Sequence, residues 1–328
     1  MWPAPEDHRM WLGEYEQLLR DAAEGAFQAA VELKARHRPP SLFKYRSVTD
    51  EALDSLRRGY VWLSHPTSFN DGYDSALFVN HDRLLATSMR RSLRANIERY
   101  GLSRLLSEAD IRAIEDSDDP ARTLGLAVLT RDPEFAGIDR TDLLDALASA
   151  MRQQTKDLEQ ATREMARASI VVCSFATSGT TPALWAHYAG NGSGFCIEYE
   201  VKQLPPDDIR LRLLLPVIYG PAPFDSTFLF EHFMVNGLSA LTVRWPLLAA
   251  TYKDRHWSYE QEWRLIDPAG SRANGRAVPL PIKAVYLGTA TSPDSAARVI
   301  RAAEPHRVPI LKMQVGRDAS TLACSVGR

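Results

Sequence analysis

Apolar residues recur at helical spacing from about residue 9 to residue 37, through Trp11, Tyr15, Leu18, Leu19, Ala22, Phe27, Ala30 and Val31, until His37, Arg38, Pro39 and Pro40 stop them. The pattern predicts an N-terminal helical extension over residues 1–40. It then changes to short aromatic-rich alternation. S-L-F-K-Y-R-S reads as a strand, Thr49 or Asp50 caps a helix that Gly59 ends, and Y-V-W-L-S reads as a second strand running into the turn signals of H-P-T-S-F-N-D-G-Y-D. From about 81 to 169 the periodicity is helical again, with breaks at Asp116 to Pro120 and near Pro133. Beyond it strands dominate: A-S-I-V-V-C-S-F, G-F-C-I-E-Y-E, L-L-L-P-V-I-Y, W-S-Y-E-Q-E-W-R-L-I, I-K-A-V-Y-L-G and V-P-I-L-K-M-Q-V. The expected fold class is α+β: one domain over 41–328 of about six to eight short strands, interrupted by a helical insertion at about 81–169.

Composition narrows this little. A chain of 328 residues with 45% hydrophobic and 24% charged residues can bury a large core, and a net charge of −2 supplies no general attraction to nucleic acid or anionic membrane. The insertion does carry Arg83, Arg90, Arg91, Arg94, Arg99 and Arg104, which read either as a solvated face or as a nucleic-acid contact. The three cysteines show no C-x-x-C spacing, which fits a reducing compartment. No apolar run approaches the ~18 residues of a membrane span, and no signal peptide opens the chain. The expectation is a soluble protein of the cytoplasm, or an effector delivered by specialised machinery.

Four stretches concentrate polar and aromatic residues beyond what a core needs. W-S-Y-E-Q-E-W-R, read as a strand, places Trp257, Tyr259, Trp263 and Leu265 on one side and Glu260, Glu262 and Arg264 on the other. Two carboxylates on one face raise one another's pKa and suit general acid/base work; read as a helix, Glu260 and Arg264 are an ordinary ion pair. Lys44, Tyr45 and Arg46 on the first strand offer a guanidinium for an anion, or a structural salt bridge. Asn70 and Asp71 suit turn hydrogen bonds, and Asp71 with Asp74 offers too few oxygens for a hard metal. Trp185, His187 and Tyr188, on a helix that Thr181 and Pro182 start, read as core aromatics or as a platform for a planar ring. No Walker, H-E-x-x-H or nucleophile triad pattern is present, since neither Cys173 nor Ser174 has an evident base.

In order, F-K-Y-R-S, L-S-H-P-T-S-F-N-D-G-Y-D, C-S-F, A-L-W-A-H-Y-A with G-F-C-I-E-Y, W-S-Y-E-Q-E-W-R and I-K-A-V-Y-L-G resemble a bacterial domain of unknown function, numbered two-nine-seven-one, over about 41–290 outside the insertion. More distantly, a strand bearing Arg, a helix ending in Gly and a second strand look like the start of ADP-ribosyltransferase folds. Arg46, Ser174 and Glu262 follow the chain order of that superfamily's NAD-binding residues, and Glu260-Gln261-Glu262 is similar to its paired-acid motif. Cys173-Ser174-Phe175 departs from the usual Ser-Thr-Ser, and the long insertion is atypical. The resemblance implies a split mixed sheet and NAD as substrate. Glu262 would stabilise the ribosyl cation, Glu260 would deprotonate an acceptor, and Ser174 would orient Glu262 or the ribose. Arg46 would hold pyrophosphate or adenosine ribose, Trp185 or Tyr188 would cover the nicotinamide, and Lys44, Tyr45, His187, Asn70 and Asp71 would complete the NAD-binding set. The acceptor stays open among protein, nucleic acid, small molecule and water, in a setting of bacterial conflict or stress response. Two other readings stand beside it: a nuclease or hydrolase using Asp71, His187 and Glu262, and a non-catalytic nucleotide-binding module.

Overall fold

A computed structural model describes residues 5–21, 25–69, 74–75, 77–135, 140–220, 224–228, 230–231, 244–268, 275–315 and 322–326. In chain order its elements begin with α1 (Pro5–Arg20), α2 (Ala26–Arg36), β1 (Leu42–Arg46), α3 (Asp50–Arg58), β2 (Tyr60–Leu63), β3 (Leu77–Phe78), α4 (His81–Arg99), α5 (Glu108–Asp116), α6 (Pro120–Arg131) and α7 (Arg140–Ala168). There follow β4 (Val171–Ala176), α8 (Pro182–Tyr188), β5 (Phe195–Tyr199), α9 (Ile209–Leu213), β6 (Leu214–Pro216), β7 (Ile218–Gly220) and β8 (Phe224–Asp225). After the helix Arg244–Ala249 come β9 (Tyr252–Asp254), β10 (Glu262–Asp267), β11 (Arg276–Pro279) and β12 (Ile282–Leu287), and after the helix Pro293–Ala303 come β13 (Ile310–Val315) and β14 (Leu322–Val326). The coarse α+β expectation agrees with this mixture. The chain divides into two units, one of Met1–Ser75, Arg167–Pro223 and Pro246–Arg328 and the other of Ala76–Ala166 and Phe224–Trp245.

The first unit is built on an eight-stranded sheet in the order β14-β13-β12-β5-β1-β4-β10-β6. Its neighbours are antiparallel except β12 and β13, which run parallel and are joined through the helix Pro293–Ala303. β1 pairs with β5 along its whole length, from Leu42 opposite Tyr199 to Arg46 opposite Phe195. Towards β4 it makes one pair, Phe43 opposite Ala176. Farther along β4 the backbone of Val172 bonds with Ser64, at the end of β2, in both directions. The sheet therefore parts between β1 and β4.

Local chemistry sets the segments that hold this opening. α3 starts where the Thr49 hydroxyl accepts from the Ala52 N–H, carries Asp50 and Glu51 in its first turn and Arg57 and Arg58 in its last, and ends at Gly59 with φ 67°. A side chain at Gly59 would also meet the His306 ring at 2.8 Å. α1 packs into this unit through buried Trp11, Tyr15 and Leu19, and the Trp11 ring lies 6.2 Å from that of Trp263 on β10. Lys34 of α2 donates to the carbonyls of Leu211, Arg212 and Leu214 at 3.2, 2.5 and 2.9 Å, satisfying the carbonyl end of α9.

The stretch expected as one strand from Trp257 is two elements. Arg255–Glu260 is a 3₁₀ turn, which the Asp254 carboxylate starts by accepting from the His256 N–H, and Gln261 follows in the left-handed region at φ 43° before β10 begins at Glu262. The apolar alternation of Trp257 and Tyr259 imitates a strand, whereas the carboxylate cap at Asp254 favours a turn.

The second unit comprises the β3–β8 pair, α4 to α6 and most of α7, around a core of Leu93, Ile97, Leu106, Ile111 and Ile114. Several of its arginines bind within the unit. Arg94 reaches Glu108 and Glu115, Arg83 reaches Glu231, and Arg90 donates to the carbonyls of Glu115 and Ser117. Among the described residues, no helix is long and apolar enough to cross a membrane.

Candidate functional site

The opened seam holds a cleft of about 200 Å³, lined from β1 by Phe43, Lys44 and Tyr45 and from β4 by Ser174, Phe175 and Ala176. Glu260, Glu262, Lys253 and Asp74 supply its charged side, and Leu184 and Tyr188 of α8 and Phe69 complete the apolar part. Glu262 and Arg264 are two apart on β10 and point to one face, opposite Ala176 and Ser174 of β4. The 3₁₀ turn and Gln261 bring Glu260 to the same place. Both acids thus converge, by a turn and a strand rather than by one strand.

Lys253 of β9 links them, its ammonium donating to Glu260 Oε2 at 2.6 Å and to Glu262 Oε2 at 3.0 Å. Arg264 Nε donates to Glu262 Oε1 at 2.8 Å, while its two terminal nitrogens take the Asp74 carboxylate at 2.6 and 2.7 Å. The Ala250 carbonyl accepts a further bond from Arg264 at 2.8 Å. Arg264 is fully buried, and Asp74, Glu260 and Glu262 are each less than a tenth exposed. Charges so placed are tolerable only as a hydrogen-bonded set.

The two glutamates are not equivalent. Burial, then the charge of Glu262, raises the pKa of Glu260 above the ordinary value, against the opposing pull of Lys253 and the Tyr188 hydroxyl, which donates to Glu260 Oε1 at 2.8 Å. Burial also works to raise Glu262, but Arg264, Lys253 and a hydrogen bond from Ser174 outweigh it and hold this carboxyl well below the usual range. Its own N–H donates to the Tyr219 hydroxyl at 2.8 Å, which fixes the start of β10. Burial alone would discharge Lys253, yet the two glutamates keep it cationic. Of the couple, Glu260 is the one pushed towards its protonated form, while Glu262 is held as the carboxylate.

The structure brings together Glu260, Glu262 and Ser174, and places Lys44, Tyr45 and Tyr188 on the cleft wall. It does not bring Arg46 there. Because Phe43, Ala176 and Glu262 lie in one row across the sheet, Arg46, three residues after Phe43, points to the opposite face, where its charge acts on Glu51, Tyr60 and Tyr199. Trp185 is a core residue, edge-on to Tyr45 at 5.3 Å, with its indole N–H on the Gly179 carbonyl. It is not available to cover a ligand ring. His187 is exposed and does not line the cleft; its ring belongs to a cluster with Trp257 and Tyr259, each 6.4 Å away. Asn70 and Asp71 lie outside the described residues. Asp74 pairs with Arg264, and among the described residues no group of three metal-ligating side chains occurs. Sequence reasoning missed Lys253 as the cation between the acids. The available signal was its position seven residues before Glu260, too far for a local pairing rule.

Residues 184–265, from α8 to the middle of β10, match the family described as "Protein of unknown function (DUF2971)", a narrower stretch than the islands that resemble it. No curated protein and no solved structure matches the chain.

Proposed function

We propose that this chain, a DUF2971-family protein by its residues 184–265, uses the cleft to break the N-glycosidic bond of a nicotinamide nucleotide, with NAD as substrate and either water or an acceptor group as the receiver of the ribosyl unit. The observation that supports it above the others is the unlike pair of glutamates sharing Lys253 in an aromatic cleft. The parting of β1 from β4 also supports reading the fold as an ADP-ribosyltransferase-like split sheet.

In this reading the bond from the ribose C1′ to the nicotinamide nitrogen breaks, the electron pair leaves with nicotinamide, and positive charge develops on the ribose. Glu262, held by Arg264, Lys253 and Ser174, stabilises that charge without moving. The incoming oxygen bonds to C1′ as its proton passes to Glu260. Phe43 and Tyr188 supply faces and edges for the ring. A cleft of about 200 Å³ has room for the ring-bearing end of the ligand, and the remaining half of a dinucleotide then lies outside it.

Both oxygens of Glu260 are already engaged, by Tyr188 and Lys253, which favours a second reading: a module that binds the nucleotide without turning it over. Nicotinamide release from NAD, followed for the wild-type chain and for Glu260→Gln, separates the two. Release that Glu260→Gln abolishes supports the enzyme; thermal protection by NAD with no release supports the module; neither release nor protection overturns both.

A further inference from the structure

The cations of the cleft are unequally matched. Arg264 and Lys253 share the carboxylates of Asp74, Glu262 and Glu260. Lys44 has none. Among the described residues its ammonium has one hydrogen bond, to the Ser174 carbonyl at 2.8 Å, and stands 5.9 Å from the centre of the Phe175 ring. An ammonium has three N–H donors, so two remain for a ligand.

The route of this side chain follows from the register. Lys44, like Arg46, starts on the sheet face away from Glu262. Had β1 and β4 stayed paired, the ladder would have closed the way between them and Lys44 would have remained on that face. The seam opens immediately after Phe43, and the ammonium of Lys44 ends there, on the Ser174 carbonyl and beside the Phe175 ring, at the wall of the cleft that Glu260 and Glu262 also line. The Ser174 side chain shares the face of Glu262 and lines the cleft with it. The uncompensated cation and the acid couple therefore meet at one residue of β4.

We infer that Lys44, and not Arg46, holds the phosphate of the ligand, so that a nucleotide lies across the opened seam with its phosphate towards β1 and its ribose towards Glu260 and Glu262. This rests on the reading of the cleft as a nicotinamide nucleotide site. It also defines the ligand class: a phosphorylated riboside is preferred to the same riboside without phosphate.

Nicotinamide riboside and nicotinamide mononucleotide differ by one phosphate, and calorimetric titration of the full chain with each reads the contribution of that group. The wild-type chain is expected to bind the mononucleotide roughly tenfold more tightly, as one charge-assisted contact allows. Lys44→Gln should bring the two affinities together, Lys44→Arg should keep most of the ratio, and Arg46→Gln should leave it unchanged. A merely structural Lys44 would weaken both ligands alike, so a ratio that survives in Lys44→Gln, or that falls only in Arg46→Gln, overturns the inference. If neither compound binds, the nicotinamide reading fails, and inorganic pyrophosphate then tests Lys44 by itself. Thermal protection by pyrophosphate that Lys44→Gln removes upholds an anion site there; protection equal in the two chains, or absent from both, overturns it.

Discussion

Arg264 and Arg94 each grip two carboxylates, Asp74 and Glu262 in the sheet unit and Glu108 and Glu115 in the helical unit, but the Arg264 side chain is 0% exposed and that of Arg94 is 54% exposed. Water can replace every contact Arg94 makes and screens its charge; nothing replaces the partners of Arg264. The same residue types at comparable distances therefore do different work. In the helical unit Arg94 holds α4 to α5, and Arg83 and Arg90 have partners of their own within it. In the sheet unit burial pushes Glu260 towards its protonated form, while Arg264 and Lys253 hold Glu262 ionised against the same burial.

The sharpest way to break this contrast is to truncate both arginines. Arg264→Met leaves Asp74 and Glu262 buried without their cation and should cost about 3–5 kcal/mol in a urea titration, while Arg94→Met should leave the midpoint without a resolvable shift. Equal shifts would remove the distinction. Next in size is the couple itself. Glu260→Gln should lower nicotinamide release by roughly 10²–10⁴-fold with the unfolding midpoint nearly unchanged, whereas Glu262→Gln should lose activity and stability together, because Arg264 loses a charged partner. A Glu262→Gln chain as stable as wild type would contradict the role assigned to it.

The pH dependence follows with its sign. Glu260 must be deprotonated to accept a proton, and its pKa is raised above 4.5, so activity should climb with pH through a limb lying above the ordinary carboxylate range. For stability, its raised pKa favours the folded state while it is protonated, and that contribution fades as pH rises from 4.5 through the raised value. Glu262 acts oppositely: its stabilisation is present above 4.5 and is lost as pH falls through its lowered pKa. Lys253→Met removes the cation both acids share and should move the activity limb to still higher pH, a shift a rate profile reads directly. The smallest effect is expected for Tyr188→Phe, which deletes one hydrogen bond to Glu260; about tenfold in rate is its ceiling, with a further upward movement of the limb.

Much of this arrangement was legible in the chain because it rests on local pattern. The Thr49 cap and Gly59 stop of α3 and the strand carrying Lys44 and Arg46 follow from capping chemistry and alternation; Glu260 and Glu262 do converge, but through the turn at Gln261 and not the expected alternation. What escaped depends on pairing. Whether Arg46 faces the acids turns on which residue of β1 stands opposite Ala176, and shifting that register by one residue reverses the answer. Lys44 reaches the cleft only because the sheet parts, a fact held by Ser64 and Val172 far apart in sequence. The turn at Gln261 was hidden because Trp257 and Tyr259 alternate as strand residues do while serving as a ring cluster beside His187.

Carboxyl ¹³C resonances of Glu260 and Glu262, assigned from the two Gln variants and followed through a pH titration of the unliganded chain, address the unlike couple most directly. The account predicts that Glu260 takes up its proton at a pH above the ordinary carboxylate range while Glu262 remains ionised until the fold gives way. Two resonances titrating together near 4.5 would contradict it.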